Sequence, residues 1–292
     1  MLIVLQPRAG LHAADFTPRC VNANTGQTDR YDGQCADGYA VMKIEGKLQE
    51  GDAATFRDEI DGRTFREYWL ISPGGMVKTG LEIGRKLRAR KAFVRVPAGG
   101  DCASACTLAF LGGEIRAVSP DAYFVVHAAS GFRNDLRLPE KSVRALLDNP
   151  KQHLAQVARA IVIAGKGLHS ILAYVQRMID GNVHSDVLEN VLDETAFEQY
   201  YERYVSGPRY AEDVTQIRQH GRSAVHRIFM RLERNATRFG LRQARDAVER
   251  LGARAGAAIR ILETMYACRI TDQCALDQTT LKEFGYVNIA NR

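Results

Sequence analysis

The sequence has no apolar run long enough to cross a bilayer, no internal repeat and no low-complexity tract. Those absences exclude a membrane-spanning helix, a solenoid and a disordered or collagen-like chain as readings of the whole. A dominant charge is missing too: 40 Lys and Arg stand against 34 Asp and Glu, a net of +6 over 292 residues. No Cys-x2-Cys or His-Glu-x-x-His spacing occurs among the six cysteines and seven histidines, so the usual zinc frameworks are lacking and no metal or cofactor is expected. What is present, 46% hydrophobic and 25% charged residues, is ordinary for a folded chain with a sizeable core.

The small net charge hides an asymmetry. Between Arg209 and Arg260 there are 12 arginines and 5 acids, a net of +7, which leaves the remainder at −1. A large domain with an appendage follows from this. The expected boundaries are a leader and N-terminal loop over 1–38, an α/β domain over 39–204, and a basic helical region over 205–292 that returns to the core at its end. Arg in the basic stretch is interleaved at helical spacing with Val214, Ile217, Val225, Phe229, Leu232 and Phe239. No nucleic-acid motif accompanies it, so the reading is packed helices with a solvated Arg face and no nucleic-acid partner.

The six cysteines are Cys20, Cys35, Cys102, Cys106, Cys268 and Cys274. An even set of near neighbours suits disulfides formed in an oxidising compartment, and pairing each with its neighbour is the simplest of the 15 connectivities. A bridge at separation four is incompatible with a regular helix, so Cys102 must precede the helix that holds Cys106. The segment from Met1 to Ala14 is too short in apolar residues for a complete secretory signal and reads as the tail of one, or as an unstructured leader. Together these features point to an exported protein, periplasmic or secreted.

From Cys20 to Tyr39 the chain is rich in Gly, Asp and Asn and reads as a stapled surface loop. An alternation follows. Strands are expected at Tyr39–Ile44, Tyr68–Ile71, Phe93–Val96, Ile115–Val118 and Tyr123–Val126; helices are expected after Asp52, over Met76–Arg88 and over Ala105–Leu111. Strands separated by helices of this length imply βαβ crossovers and a largely parallel sheet. Helices then dominate: Gln152–Ala164, Leu168–Met178, Val187–Tyr204, Val214–Phe239 and Leu241–Tyr266, with a last helix at Leu281–Gly285 and a strand at Tyr286–Ile289.

Three segments break the pattern at strand C-termini, where open α/β sheets hold ligands. In Ser72-Pro73-Gly74-Gly75 the proline fixes the backbone and the glycines admit positive φ, so amides can face a cleft and hold an anion. In Gly99-Gly100-Asp101-Cys102-Ala103-Ser104-Ala105-Cys106, Ser104 opens an apolar helix, the place for a nucleophile or for a plain helix cap. In Val125-Val126-His127, a histidine ends a buried strand, either as a base or as a core histidine satisfied by a carbonyl. Cys102 and Cys106 offer a cysteine nucleophile instead only if unbridged, since a disulfide leaves no thiolate. A bridge there would fix the serine loop.

Ser-Pro-Gly-Gly, then Ser104 within Cys-Ala-Ser-Ala-Cys-Thr-Leu-Ala-Phe, then a strand ending in His127, is similar to the Clp protease proteolytic subunit. With its Gly51-Asp52 opening, the sequence resembles still more the exported Clp-protease-like proteins of bacteria. The resemblance covers roughly Tyr39 to Ala129, with an echo over Leu281–Ile289. It implies an α/β fold, a crotonase- and ClpP-like spiral of βαβ units with a helical C-terminal elaboration, and self-assembly into a homo-oligomer.

It further implies a peptide or protein substrate, Ser104 as nucleophile, His127 as its base, and an oxyanion hole from the Gly75 and Ala105 amides. The family's acid has no clear counterpart. Asp272 is about one position off, Asp277 and Asp193 fit less well, and each could be a helix cap. Two other readings keep the fold and drop the peptidase: a catalytically silent binding or assembly scaffold, and a crotonase-like acyl-CoA enzyme that needs no serine.

Overall fold

The computed structural model describes residues 13–127, 138–180, 194–251, 256–268 and 274–289. The chain divides into two compact units, one formed by residues up to Val126 together with those from Cys274 onward, the other by His127–Gln273.

In the first unit a six-stranded sheet has the order β2-β1-β3-β4-β5-β7, where β1 is Asp15–Asn22, β2 Thr28–Arg30, β3 Gly38–Glu45, β4 Glu67–Ile71, β5 Phe93–Val96 and β7 Ile115–Val118. The pairs β3–β4, β4–β5 and β5–β7 are parallel, as βαβ crossovers require. The first crossover carries α1, Asp52–Ile60, with Ala53, Phe56 and Ile60 buried as their spacing predicts. The second carries α2, Val77–Ala89, and the third carries β6, Asp101–Ala103, followed by α3, Ala105–Leu111. A smaller sheet orders β6, β8 (Tyr123–Val126) and β9 (Cys274–Ala275), with β6 parallel to β8. The molecule is thus mixed α/β.

Two expectations in this unit change. The segment from Cys20 to Tyr39 is no plain loop: β1 pairs antiparallel with β3 along its whole length and with β2 at Arg19–Val21. Pro18 obscured that strand. It lies beyond the three residues β2 covers, where a missing N–H is tolerated. Tyr286–Ile289 is not a strand either: one backbone bond, from the Asn288 amide to the Arg116 carbonyl at 3.3 Å, is made and side chains supply the remaining contacts. Asn288 Oδ1 accepts the Arg116 amide at 2.8 Å, and the buried Arg116 guanidinium donates to the carbonyls of Tyr286, Gly285 and Gly113 at 2.7, 3.0 and 2.7 Å. That clamp follows α9, Gln278–Glu283, and seats Tyr286 against Phe124, which in turn meets Phe110 of α3, with centroids 4.9 and 5.1 Å apart.

The second unit is helical: α4 (Glu140–Asp148), α5 (Pro150–Asp180), α6 (Glu194–Ser206), α7 (Pro208–Leu251) and α8 (Gly256–Ala267). The break expected near Gly165 does not occur, since a glycine inside a helix costs only about 1 kcal/mol relative to Ala and α5 continues through it. Nor does Gly240 end a helix. The departure from helical geometry in α7 falls at Gly221, with φ 55 and ψ −133. All six apolar residues interleaved with arginine in the basic stretch are buried, so the amphipathic reading of that stretch holds. Asp213, 1% exposed, accepts from the Tyr204 hydroxyl at 2.8 Å and pairs with Arg231.

No described helix is long and apolar enough to cross a membrane. Cys20–Cys35 and Cys102–Cys106 are bridged, Cys268 and Cys274 are disulfide-bonded as well, and no cysteine is free.

Candidate active site

The site is built where β4 and β6 end in the first unit. Beyond Ile71, the Ser72 amide donates to the Asp101 carbonyl at 2.7 Å and the Ser72 carbonyl accepts the Ala103 amide at 2.9 Å, a parallel bridge in register with Cys102. Pro73 turns the chain, and the Ser72 hydroxyl accepts the Gly74 amide at 3.1 Å. Leu48 holds the other side of the loop, donating to the Gly74 carbonyl at 2.8 Å and accepting the Met76 amide at 2.9 Å. That pattern leaves the Gly75 amide pointing away from Leu48, because a planar trans peptide sets the Gly75 N–H opposite the Gly74 carbonyl.

Only glycine fits at both turn positions. Gly74 and Gly75 have φ of 91 and 143. A Cβ on Gly75 would fall 2.1 Å from the Leu48 carbonyl oxygen, and one on Gly74 would fall 2.6 Å from Ser104 Cβ and 3.0 Å from the Ala105 nitrogen. The bare Gly74 backbone therefore lies directly against Ser104.

Ser104 itself links β6 to α3 with φ 56 and ψ −124, and is one of two described non-glycine residues at positive φ. For an L-residue that region costs about 1–3 kcal/mol, which the surroundings must offset. They do so with named contacts. The Ser104 amide donates to the Val125 carbonyl at 3.0 Å, and the Ser104 carbonyl accepts from the Thr107 amide at 3.0 Å and its hydroxyl at 2.7 Å. The Cys102–Cys106 disulfide spans the turn, with Cα atoms 5.3 Å apart. Cys102 lies in β6 and precedes the helix, as its separation from Cys106 demanded.

The Ser104 hydroxyl makes no capping bond, so the plain helix-cap reading fails for this residue. Ala105 is the first helical residue, and its amide lacks an intrahelical acceptor. Among the described residues neither that amide nor the Gly75 amide has an acceptor. The arrangement gathers one uncommitted hydroxyl and two uncommitted N–H groups around the close approach of Gly74 to Ser104. Such donors can hold a developing oxyanion. Because both neighbouring cysteines are bridged, no thiol is present to act as the alternative nucleophile.

His127 follows Val126, the last residue of β8, and is half-buried. The acceptor of the Ser104 amide, Val125, is two residues before it in the chain. Asp277 is a helix cap: its carboxylate accepts the Thr280 amide at 2.7 Å, and this bond, the largest cause, holds its pKa below the usual carboxylate range. Asp193 and Asp272 lie outside the described residues. Among the described residues, no three of His, Cys, Asp and Glu gather to hold a metal ion.

Sequence reasoning named Ser72 only as part of a motif and missed Leu48, Gly80 and Gly84. The two glycines are four apart on α2, a spacing that faces one side of a helix. A Cβ on Gly80 would meet the Ala105 carbonyl oxygen at 2.4 Å, and one on Gly112 would meet the Gly84 backbone at 2.1 Å. These bare positions bring α2 and α3 together and set where the first turn of α3 begins.

No protein-family model matches the chain, and no curated protein matches it. Among solved structures, the chain is similar to a serine-to-alanine mutant of the 1510-N membrane-bound stomatin-specific protease, at 21% identity over 40% of this chain and 62% of that one, with a TM-score of 0.28. It is also similar to a lysine-to-alanine mutant of that protease in complex with a substrate peptide, at 20% identity over 40% of this chain and 59% of that one, again with a TM-score of 0.28. The chain thus spans about three-fifths of the length of either.

Proposed function

We propose that this chain is a serine peptidase with a Clp-protease-like, crotonase-type spiral of βαβ units, acting on peptide or protein substrates. The observation that carries the reading is the strained Ser104 elbow, packed on Gly74, with a hydroxyl that makes no capping bond and two amides that have no acceptor among the described residues. In the proposed reaction His127 takes the proton from Ser104 Oγ as that oxygen attacks the scissile carbonyl carbon. The tetrahedral oxyanion is held by the Gly75 and Ala105 amides. His127 then passes the proton to the leaving amine, and water hydrolyses the acyl-Ser104 ester with His127 again as base. No cofactor is required. With Asp277 occupied as a cap, the simplest form of the proposal is a Ser–His dyad whose imidazole is oriented by a group other than Asp277.

Full oxidation of the cysteines supports an exported location, periplasmic or secreted, and self-association into a homo-oligomer belongs to the same proposal. A fluorophosphonate probe should label the native protein at Ser104 and fail on Ser104→Ala and His127→Ala. Labelling that persists in Ser104→Ala removes the assignment. A native protein that never labels leaves the scaffold reading in its place.

A further inference from the structure

The helical unit contains a cavity of about 560 Å³ lined by Tyr200 of α6, by Asn235, Arg238, Arg242 and Arg245 of α7, and by Glu263 of α8. That volume falls within the range of small-molecule sites. Residues 235, 238, 242 and 245 recur at helical spacing and present one polar face of α7 to it. The apolar face of the same helix is spent in the core through Leu232, Ala236 and Phe239.

The charges in this cavity are unevenly answered. Arg245 pairs with Glu263 and has Glu249 and Asp246 in electrostatic reach. Arg238 and Arg242, one turn apart, have no carboxylate partner among the described residues. The Tyr200 ring is fixed by stacking on Phe239, with centroids 4.5 Å apart. Its hydroxyl feels the Arg242 charge, which opposes the upward push of burial on its pKa.

Beside the Arg245–Glu263 pair and apolar Leu241, the wall presents two guanidinium groups without a carboxylate partner among the described residues, a carboxamide and a phenol. Each can donate hydrogen bonds, and the guanidiniums offer the forked geometry that matches a tetrahedral oxyanion. A lone carboxylate would engage one guanidinium and leave the other unanswered. A phosphate group, with up to two negative charges and several acceptor oxygens, fits both.

We propose that this cavity binds a phosphate-bearing small molecule through Arg238 and Arg242, with Asn235 and Tyr200 completing the donor set. The site is independent of the Ser104 chemistry. Pyrophosphate is the probe in solution, and vesicles of phosphatidylglycerol, with phosphatidylcholine as the control, test whether the same cavity takes a lipid phosphate. Titration followed by ³¹P NMR should show saturable pyrophosphate binding to the native protein, and Arg238→Gln/Arg242→Gln should weaken it by about 10-fold or more, as loss of two charge-assisted contacts implies.

The matched control is Arg218→Gln/Arg227→Gln, which removes the same charge from the same helix outside the cavity and should leave binding unchanged. Retention on phosphatidylglycerol vesicles that pyrophosphate competes and the cavity variant abolishes extends the ligand to a headgroup. The inference is overturned if native protein fails to bind pyrophosphate, if both double variants lose binding equally, or if vesicle retention ignores pyrophosphate. Fluorophosphonate labelling of Ser104 should be unchanged in either double variant.

Discussion

Replacing Cys102 and Cys106 by alanine together tests whether the Ser104 elbow depends on its bridge or only shelters beside it. The bridge closes a short loop, at sequence separation 4, so the chain-entropy model assigns it about 2 kcal/mol of global stability. Both residues are fully buried, and loss of two sulfur atoms from packed sites adds roughly 1–2 kcal/mol. A domain of ordinary stability, about 5–15 kcal/mol, stays folded under that load. The local effect is different in kind. Ser104 is held at φ 56 against a preference of about 1–3 kcal/mol for common backbone regions. With the bridge gone, the hydrogen bonds to Val125 and Thr107 and the packing on Gly74 are left to oppose relaxation. If the strain is released in full, the competent conformer falls about 5- to 150-fold.

The assay is the second-order rate of fluorophosphonate labelling, read beside the thermal midpoint. Cys20→Ala/Cys35→Ala supplies the contrast. That bridge, at separation 15, contributes about 3 kcal/mol in the same model but does not span the serine turn. The Cys20/Cys35 variant should therefore lose a comparable amount of stability and keep its labelling rate, while the Cys102/Cys106 variant loses labelling. Equal labelling rates in the two variants, measured below both thermal midpoints, would refute the elbow reasoning.

Gly80→Ala places a methyl 2.4 Å from the Ala105 carbonyl; it should cost about 1–3 kcal/mol in denaturant midpoint and slow Ser104 labelling, because the first turn of α3 must move. Ser72→Ala strands the buried Gly74 amide, at about 1–3 kcal/mol, and should lower the labelling rate without removing it. Arg116→Met leaves the carbonyls it serves in the C-terminal clamp unpaired, a loss of roughly 3 kcal/mol, and hydrogen exchange should show the Tyr286 amide losing protection first. For Glu140, hydrogen bonds from Arg222 and Arg144 hold the folded pKa at about 2, below its ordinary value of 4.5. A depressed carboxylate stabilises above its unfolded pKa and loses that effect as pH falls through the folded one. The native protein should be more stable than Glu140→Gln above pH 4.5, with the gap closing toward pH 2; an urea-midpoint difference that stays constant across that window would contradict the pairing.

What the sequence disclosed, and what it concealed, divides by the range of the interaction. The strand at Tyr123–Val126 and the face of α1 made by Ala53, Phe56 and Ile60 were readable because each depends on periodicity within one element. The placement of Cys102 ahead of its helix followed from covalent geometry alone. Pro18 hid a strand in which it pairs with the distant Met42, and Asn288 hid an edge contact in which a side chain supplements a single backbone bond. Neither has a local signature. Gly221 was not distinguishable from Gly240 by composition, since a glycine in a helical pattern marks a permitted break and not an obligatory one.

The same division explains why the serine was easier to find than its support. Ser104 announced itself by residue type at a helix start. Leu48 is an ordinary apolar residue whose contribution is entirely backbone, and nothing in its identity marks the amide and carbonyl that pin Gly74 and Met76. Yet the bond to Gly74 determines which way the Gly75 amide faces, because a planar trans peptide points the Gly75 N–H opposite the Gly74 carbonyl. A substitution at Leu48 that keeps a β-compatible backbone, such as Leu48→Val, should therefore leave the loop conformation and Ser104 labelling close to native while costing about 0.5–1.5 kcal/mol of packing. Leu48→Pro deletes the amide donor to Gly74, and should lower labelling far more than its stability loss alone explains. If the proline variant stays folded and labels like the native protein, the direction of the Gly75 amide is not set by that bridge.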